Sequence, residues 1–168
     1  FEPGAGAPAV EVLNAGQEDG THWIPGECDV SIRPGWYYHS EQDEEVKSLV
    51  ELLAIWHASV GRGANLLLNL PVDRRGRVHE NDAARLLEWR AALDRLYAVD
   101  LAQVARARAT NVRGGHADYG AARVLDRDPD TYWATDDGCE HAALELEFAR
   151  PVRCDRIRLE DRQDAQAA

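Results

Sequence analysis

An α/β unit followed by an all-β unit is the fold class this sequence predicts, and three observations carry it. Helical periodicity at 48–60 runs into the apolar stretch ANLLLNL at 64–70, a second helical pattern follows from Asn81, and beyond residue 99 the period falls to two.

The elements follow in order. FEPGAGAPA, residues 1–9, is rich in Pro, Gly and Ala and reads as a loop, after which VEVLN looks like a short strand. Leu49, Val50, Leu53, Trp56 and Val60 recur at helical spacing, with Ser48 and Glu51 in the pattern of a capping box. Gly61 and Gly63 stop that helix, and ANLLLNL then reads as a strand of a parallel sheet covered on both faces. After the turn PVDRRG, Asn81 is placed to cap a helix whose inward stripe is Leu86, Trp89, Leu93, Leu96 and Tyr97. The change of character near residue 99 divides the chain into 1–98 and 99–168. In the second part ALELEF at 143–148 and RIRLE at 156–160 alternate as strands do.

Composition narrows the partners. With 168 residues, 45% of them hydrophobic and 29% charged, the chain can bury a core. A net charge of -11 and no block of Lys or Arg exclude a phosphate backbone as the partner, so no nucleic acid is expected and a neutral ligand fits better. The longest apolar run is strand-sized, so no membrane span is expected. Cys28, Cys139 and Cys154 lack the spacing of a zinc site, while a Cys139–Cys154 pair is conceivable in a secreted protein. The chain opens on Phe1 with no leader-like segment and reads as a piece of a longer protein.

The chemistry concentrates in WIPGECDVSIRPGW, residues 23–36. Extended backbone would put Glu27 and Asp29 on one face. Beside Trp23, Pro25, Trp36 and Tyr37, a carboxyl would sit against a partly dry wall that disfavours its anion, leaving a proton to donate near neutral pH. Glu27 is thereby a candidate general acid, and a surface carboxylate is the competing reading. Trp36 is either a platform for a ligand or a core plug. Arg33 suits a carboxylate, a sugar hydroxyl or a structural ion pair. His22 and His39 read as structural histidines.

The runs GTHWIPGECDVSIRPGWYYH and VKSLVELLAIWHASVGRGANLLLNLPVDRRGRVHENDAARL resemble the carboxy-terminal part of the catalytic domain of glycoside hydrolase family 29, the α-L-fucosidases, most of all the branch acting on α-1,3/1,4-linked fucose. The resemblance covers roughly residues 10–98. It implies a (β/α)8-like barrel and hydrolysis with retention through a covalent fucosyl-enzyme, without a cofactor for catalysis. Glu27 would be the general acid/base, with the nucleophile an aspartate on an earlier strand outside this sequence. Retention needs the two carboxyl groups about 5–5.5 Å apart across the scissile bond, a place Asp29 cannot fill from the same strand. Asp29 would instead orient Glu27 or Arg33. Trp36 would line the apolar face of the sugar, with Arg33 and Asn69 as further substrate contacts, Asn69 at a strand end where barrel sites collect. Fucosylated oligosaccharides or glycoconjugates are the implied partners, and a secreted, periplasmic or cell-surface parent the implied setting. Residues 1–98 would be unstable by themselves and the fragment inactive. The competing class is a non-catalytic carbohydrate-binding or adhesion protein.

Downstream, AARVLDRDPDTYWAT and LELEFARPVRCDRIRLED resemble part of a discoidin domain, the factor V/VIII type C or family 32 carbohydrate-binding β-sandwich. That resemblance implies a structural calcium ion on Asp126, Asp128 and Thr131, and a core position for Trp133. Where relatives usually carry a glycine after the first aspartate, this chain has Arg127.

Overall fold

The structure, a computed structural model, describes residues 19–21 and 26–160. The loop and short strand read at 1–14, and His22, Trp23 and Pro25, lie outside the described residues. The chain divides into two compact units, Phe1–Ala98 and Val99–Ala168.

In the first unit, β1 (Glu27–Ser31) pairs in parallel with β2 (Asn65–Asn69), Glu27 opposite Asn65 and Ser31 opposite Asn69. Helix α1 (Leu49–Ala58) connects them on the way. Its start is as read: Ser48 Oγ accepts from Glu51 N, and the Glu51 carboxylate accepts from Ser48 N at 2.8 Å. Two orphan donors of the first turn are satisfied this way. Its inward face differs from the expected stripe. Leu52 is buried, Leu49, Leu53 and Trp56 are half-buried, and Val50 and Val60 are exposed. Positions 49, 52, 53 and 56 share one side of a 3.6-residue repeat, and Val50 lies off it. One 3-10 turn, Val60–Arg62, follows and ends on Gly63 with φ 79°. That left-handed backbone is cheap for glycine.

Helix α2 (Glu80–Leu96) turns Asp82, Leu86, Trp89, Ala92, Leu93 and Leu96 inward. Its cap is His79, not Asn81. His79 Nδ1 accepts from Asn81 N, and the Asn81 side chain is spent elsewhere, donating to Asp43 O at 2.7 Å. Tyr97, expected on the stripe, is exposed and packs its ring 5.4 Å from that of Trp56 on α1. Leu67 in β2 is also exposed, so among the described residues this sheet is not covered on both faces. Two parallel strands alone leave one face open.

The second unit holds β3 (Ala105–Ala109) and β4 (Leu144–Phe148), antiparallel, joined by loops and short 3-10 turns. β4 falls within the ALELEF run. RIRLE at 156–160 forms no strand: Ile157 and Leu159 are exposed, and a segment without a ladder partner among the described residues has no strand to join. β3, with sequence ARARA, escapes a reading by alternation because its inward positions are alanines. Arg106 and Arg108 stand opposite Glu147 and Glu145, giving the pair one charged face. Among the described residues no helix is long and apolar enough to cross a membrane.

Candidate functional site

At the carboxyl end of β1 and β2 the chain turns through Pro34 and Gly35, and three sets of bonds fix the turn. Ile32 N donates to Asn69 O at 3.0 Å, extending the ladder one step. Ser31 Oγ donates to Gly35 O at 2.7 Å. The Asn69 amide donates to Ser31 Oγ and to Trp36 O, each at 3.0 Å. The Asn69 amide nitrogen therefore positions the loop.

Arg33 and Asp82 are both wholly buried. Arg33 Nε donates to the two Asp82 oxygens at 2.9 and 3.1 Å, and Nη1 donates to Asp43 Oδ1 at 2.9 Å. One buried carboxylate, Asp82, and one half-buried, Asp43, account for the burial of the guanidinium, since a lone buried charge would be costly. Arg33 is thus engaged in a structural ion pair, one of the roles its residue type suits. The Arg33 guanidinium also lies over the Tyr38 ring at 5.0 Å. Tyr38 Oη donates to Asp43 Oδ2 at 3.3 Å, and burial, then the Asp43 charge, push the phenol above its ordinary value so that it stays a donor.

The loop held this way presents Trp36, 51% exposed, and Tyr37, 79% exposed. In this chain an aromatic face is thus open beside a strand end. Tyr37 was visible in the sequence only as a neighbour of Trp36. His39 is exposed, with Nδ1 3.8 Å from Glu41.

Glu27 lies at the opposite end. It opens β1, is exposed, and accepts from Asn65 Nδ2 at 3.3 Å. Asp29 is exposed on the same face, as alternation requires, and does not orient Arg33, whose partners are Asp82 and Asp43. Four residue steps of strand separate Glu27 from Ser31, roughly 13 Å at about 3.3 Å per residue. No glutamate side chain spans that. The dry wall expected around Glu27 is not formed by Trp36 or Tyr37, which stand beyond the far end of the strand. Glu27 and the backbone of the Trp36 loop thus stand at opposite ends of the β1–β2 pair.

The second unit's aspartate loop closes on itself. Thr131 Oγ1 donates to both Asp126 oxygens at 2.8 and 2.7 Å, Asp128 N donates to Asp126 Oδ1 at 3.0 Å, and Asp130 N donates to Asp128 Oδ1 at 3.0 Å. Thr131 and then the Asp128 backbone hold the Asp126 carboxyl below its ordinary value. Calcium takes six to eight oxygens. Asp126, Asp128 and Thr131 come together through the loop's own hydrogen bonds, and among the described residues no group of three acidic, His or Cys side chains is placed to hold a metal. Arg127 has φ 62°, the left-handed backbone for which a glycine is the natural residue. Trp133 is half-buried and donates its indole N–H to Asn111 O at 2.9 Å. Cys139 and Cys154 are unpaired.

Parallel strands with a helix between them and an anchored aromatic loop at their carboxyl ends define a piece of a barrel-type α/β fold. Comparison with known proteins gives it relatives. The chain is 38% identical over 130 residues to alpha-L-fucosidase 1 of Arabidopsis thaliana, covering 77% of this chain and 25% of that protein. It is similar to the crystal structure of a candidate α-L-fucosidase from Bacteroides thetaiotaomicron, with TM-score 0.77 and 41% identity over 83% of this chain and 30% of the other. It is likewise similar to a glycoside hydrolase family 29 fucosidase from Ruminococcus gnavus in complex with fucose, with TM-score 0.72 and 32% identity over 77% of this chain and 26% of the other. No protein-family model matches the chain. The fold is thus of the family 29 α-L-fucosidase type, and the chain spans only 25% to 29% of the length of the curated relatives it matches. The 83% share exceeds the 98 residues of the first unit, so the likeness to the Bacteroides structure runs into the second.

Proposed function

We propose that this chain forms a sugar-facing wall of a retaining α-L-fucosidase that removes terminal α-1,3/1,4-linked L-fucose from extracellular glycans, and that it does not cleave that bond by itself. The observation that carries this reading is Trp36, held half-exposed at the carboxyl end of two parallel strands in a fold of the fucosidase type. An open indole face packs well against the C–H face and methyl group of a 6-deoxy sugar. Retention needs two carboxylates about 5–5.5 Å apart across the bond. Glu27 is read as the general acid/base, and the nucleophile is assigned to another part of a longer polypeptide because Asp29 shares one side of one strand with Glu27. The second unit is read as a discoidin-type neighbour, on the strength of its LDRDPDTYW loop.

The test uses an aryl α-L-fucoside and indole N–H resonances. Hydrolysis by the full-length protein and none by residues 1–168 is expected, with L-fucose shifting the Trp36 indole. Trp36→Ala should lower kcat/KM roughly tenfold, the equivalent of about 1.4 kcal/mol. A full-length protein that binds fucose at Trp36 yet leaves the fucoside intact would establish the adhesion reading instead.

A further inference from the structure

The amino end of α2 is capped by a residue type that seldom serves there. Ser, Thr, Asp and Asn are the ordinary caps, and each keeps an accepting oxygen throughout the neutral range. Here the cap is His79, whose Nδ1 accepts from Asn81 N at 3.3 Å. A ring nitrogen accepts only while it carries no proton, so this bond needs the neutral imidazole with its hydrogen on Nε2. Nε2 lies 3.4 Å from Asp43 Oδ2.

The cap is tied to the segment that presents Trp36. Asp43 Oδ2 also accepts from the Tyr38 hydroxyl at 3.3 Å, and its Oδ1 accepts from Arg33 Nη1 at 2.9 Å. The Tyr38 ring stands 6.0 Å from the His79 ring. The Asn81 side chain donates to Asp43 O, and the next residue, Asp82, holds Arg33. The first turn of α2 thus carries the groups that pin Arg33 and Asp43, and through them the turn before Trp36.

A second proton on the ring works against that turn. It places a donor on Nδ1 opposite the Asn81 N–H, so the cap bond is lost, and it sets a positive charge at the positive end of a helix. The loop brings Asp43, Tyr38 and, across Asp43, Arg33 toward the ring; α2 brings Glu80, 3.7 Å from Nε2; the turn after β2 brings Asp73, Arg74 and Arg75. Asp43, Asp73 and Glu80 stand against Arg33, Arg74 and Arg75, so the imidazole decides the sign of the cluster. The protonated ring keeps its attraction to Asp43 and Glu80 while giving up Asn81.

We infer that His79 is a positioning residue whose hold on the Trp36 loop depends on its protonation: neutral, it caps α2 and steadies the loop, and protonated, it releases the first turn. The consequence for a sugar rests on the platform reading of Trp36, whereas the release of the turn does not.

The experiment is heteronuclear NMR of the full-length protein at pH 7.5 and 5.5, across the range in which histidine changes charge. Protection of the Asn81 amide, corrected for the intrinsic pH dependence of exchange, should fall about tenfold at the lower pH, the size expected for a lost cap, and the Trp36 indole resonance should broaden with it. His79→Asn supplies a cap that does not titrate, so both readouts should match at the two pH values, and L-fucose should bind more weakly at pH 5.5 only in the parent. Equal protection of Asn81 at both pH values in the parent overturns the inference without need of any variant. An undiminished pH response in a folded His79→Asn protein, checked by thermal unfolding, overturns it as well. Loss of Asn81 protection as expected, with L-fucose moving the indole at neither pH, upholds the release of the turn and removes only the platform reading.

Discussion

The two ends of the β1–β2 pair are built differently. At the carboxyl end, a fully buried Arg33–Asp82 pair, Asp43 and the Asn69 amide together hold one loop. At the amino end, among the described residues, Glu27 accepts a single hydrogen bond, from Asn65 at 3.3 Å and in solvent. Buried polar contacts fix geometry because leaving them unmade is expensive, whereas an exposed contact trades easily with water. A rigid aromatic platform can be sustained at the first end, and the second carries a carboxylate free to move. In a parallel sheet of barrel type, chemistry gathers where strands finish, so the contrast also says which end to test.

The largest effect belongs to Asp82→Ala. It strands Arg33 without its main partner in a place closed to solvent, a loss of about 3–5 kcal/mol by analogy with broken buried pairs. Amide exchange of residues 31–43 in the full-length protein should accelerate accordingly. Replacing both partners, Arg33→Met with Asp82→Leu, should recover most of the loss. If the single change leaves exchange unaltered, the carboxyl end is not held by this pair and the contrast collapses.

Acid should loosen the carboxyl end next. Hydrogen bonds from Arg75 hold the Asp73 carboxyl at about 2, against an ordinary 3.8. A depressed folded value means the stabilisation is complete above pH 3.8 and disappears as pH falls toward 2. The turn that Asp73 organises, with Gly76 at φ 74° and Val72 bridged to Val78, should lose exchange protection across that window. Comparing Asp73→Asn with the parent at pH 7, 4 and 2.5 isolates this group from other carboxylates. The variant should show less of the acid loss, and an equal loss in both proteins would assign the effect elsewhere.

A smaller change is expected from Asn69→Ala. Two hydrogen bonds vanish, worth about 1 kcal/mol each, while the ladder bond from Ile32 N to Asn69 O stays. Trp36 should become more mobile without unfolding of the strands, visible as a broadened indole resonance. An indole line as sharp as in the parent would mean that Asn69 does not position the loop.

How much of this was legible beforehand differs between elements. The capping box at Ser48 and Glu51 and the strand after Gly63 could be read because both depend on neighbours in sequence. The cap of α2 could not, because Asn81 was drawn away by Asp43, 38 residues earlier. Arg33 and Asp82 are 49 residues apart, and nothing local marks either as buried. β3 was missed since alternating Ala and Arg give a weak apolar signal, and its pairing with β4 rests on cross-strand Arg–Glu contacts. The aspartate loop was found, because its turn depends on neighbours in sequence, whereas the hydrogen bonds that close it on Asp126 could not be read from residue types alone. Glu27 was placed correctly on a strand. Its end of that strand depended on the register with β2, which the motif does not encode.

That last point leads to the smallest expected effect on the fold. Glu27→Gln keeps the shape and can still accept from Asn65 through its amide oxygen, so the β1–β2 register should hold and thermal unfolding should match the parent. The roughly 13 Å of strand between the two ends is bridged by a glutamate side chain, a sugar ring and an indole together, so a sugar on Trp36 can still reach this carboxyl. Hydrolysis of an aryl α-L-fucoside by the full-length protein should therefore fall by about 10²–10⁴ in kcat/KM, the loss of a removed general acid. A rate within about twofold of the parent would remove Glu27 as the proton donor and leave the carboxyl end of the pair as the part of this chain that meets the substrate.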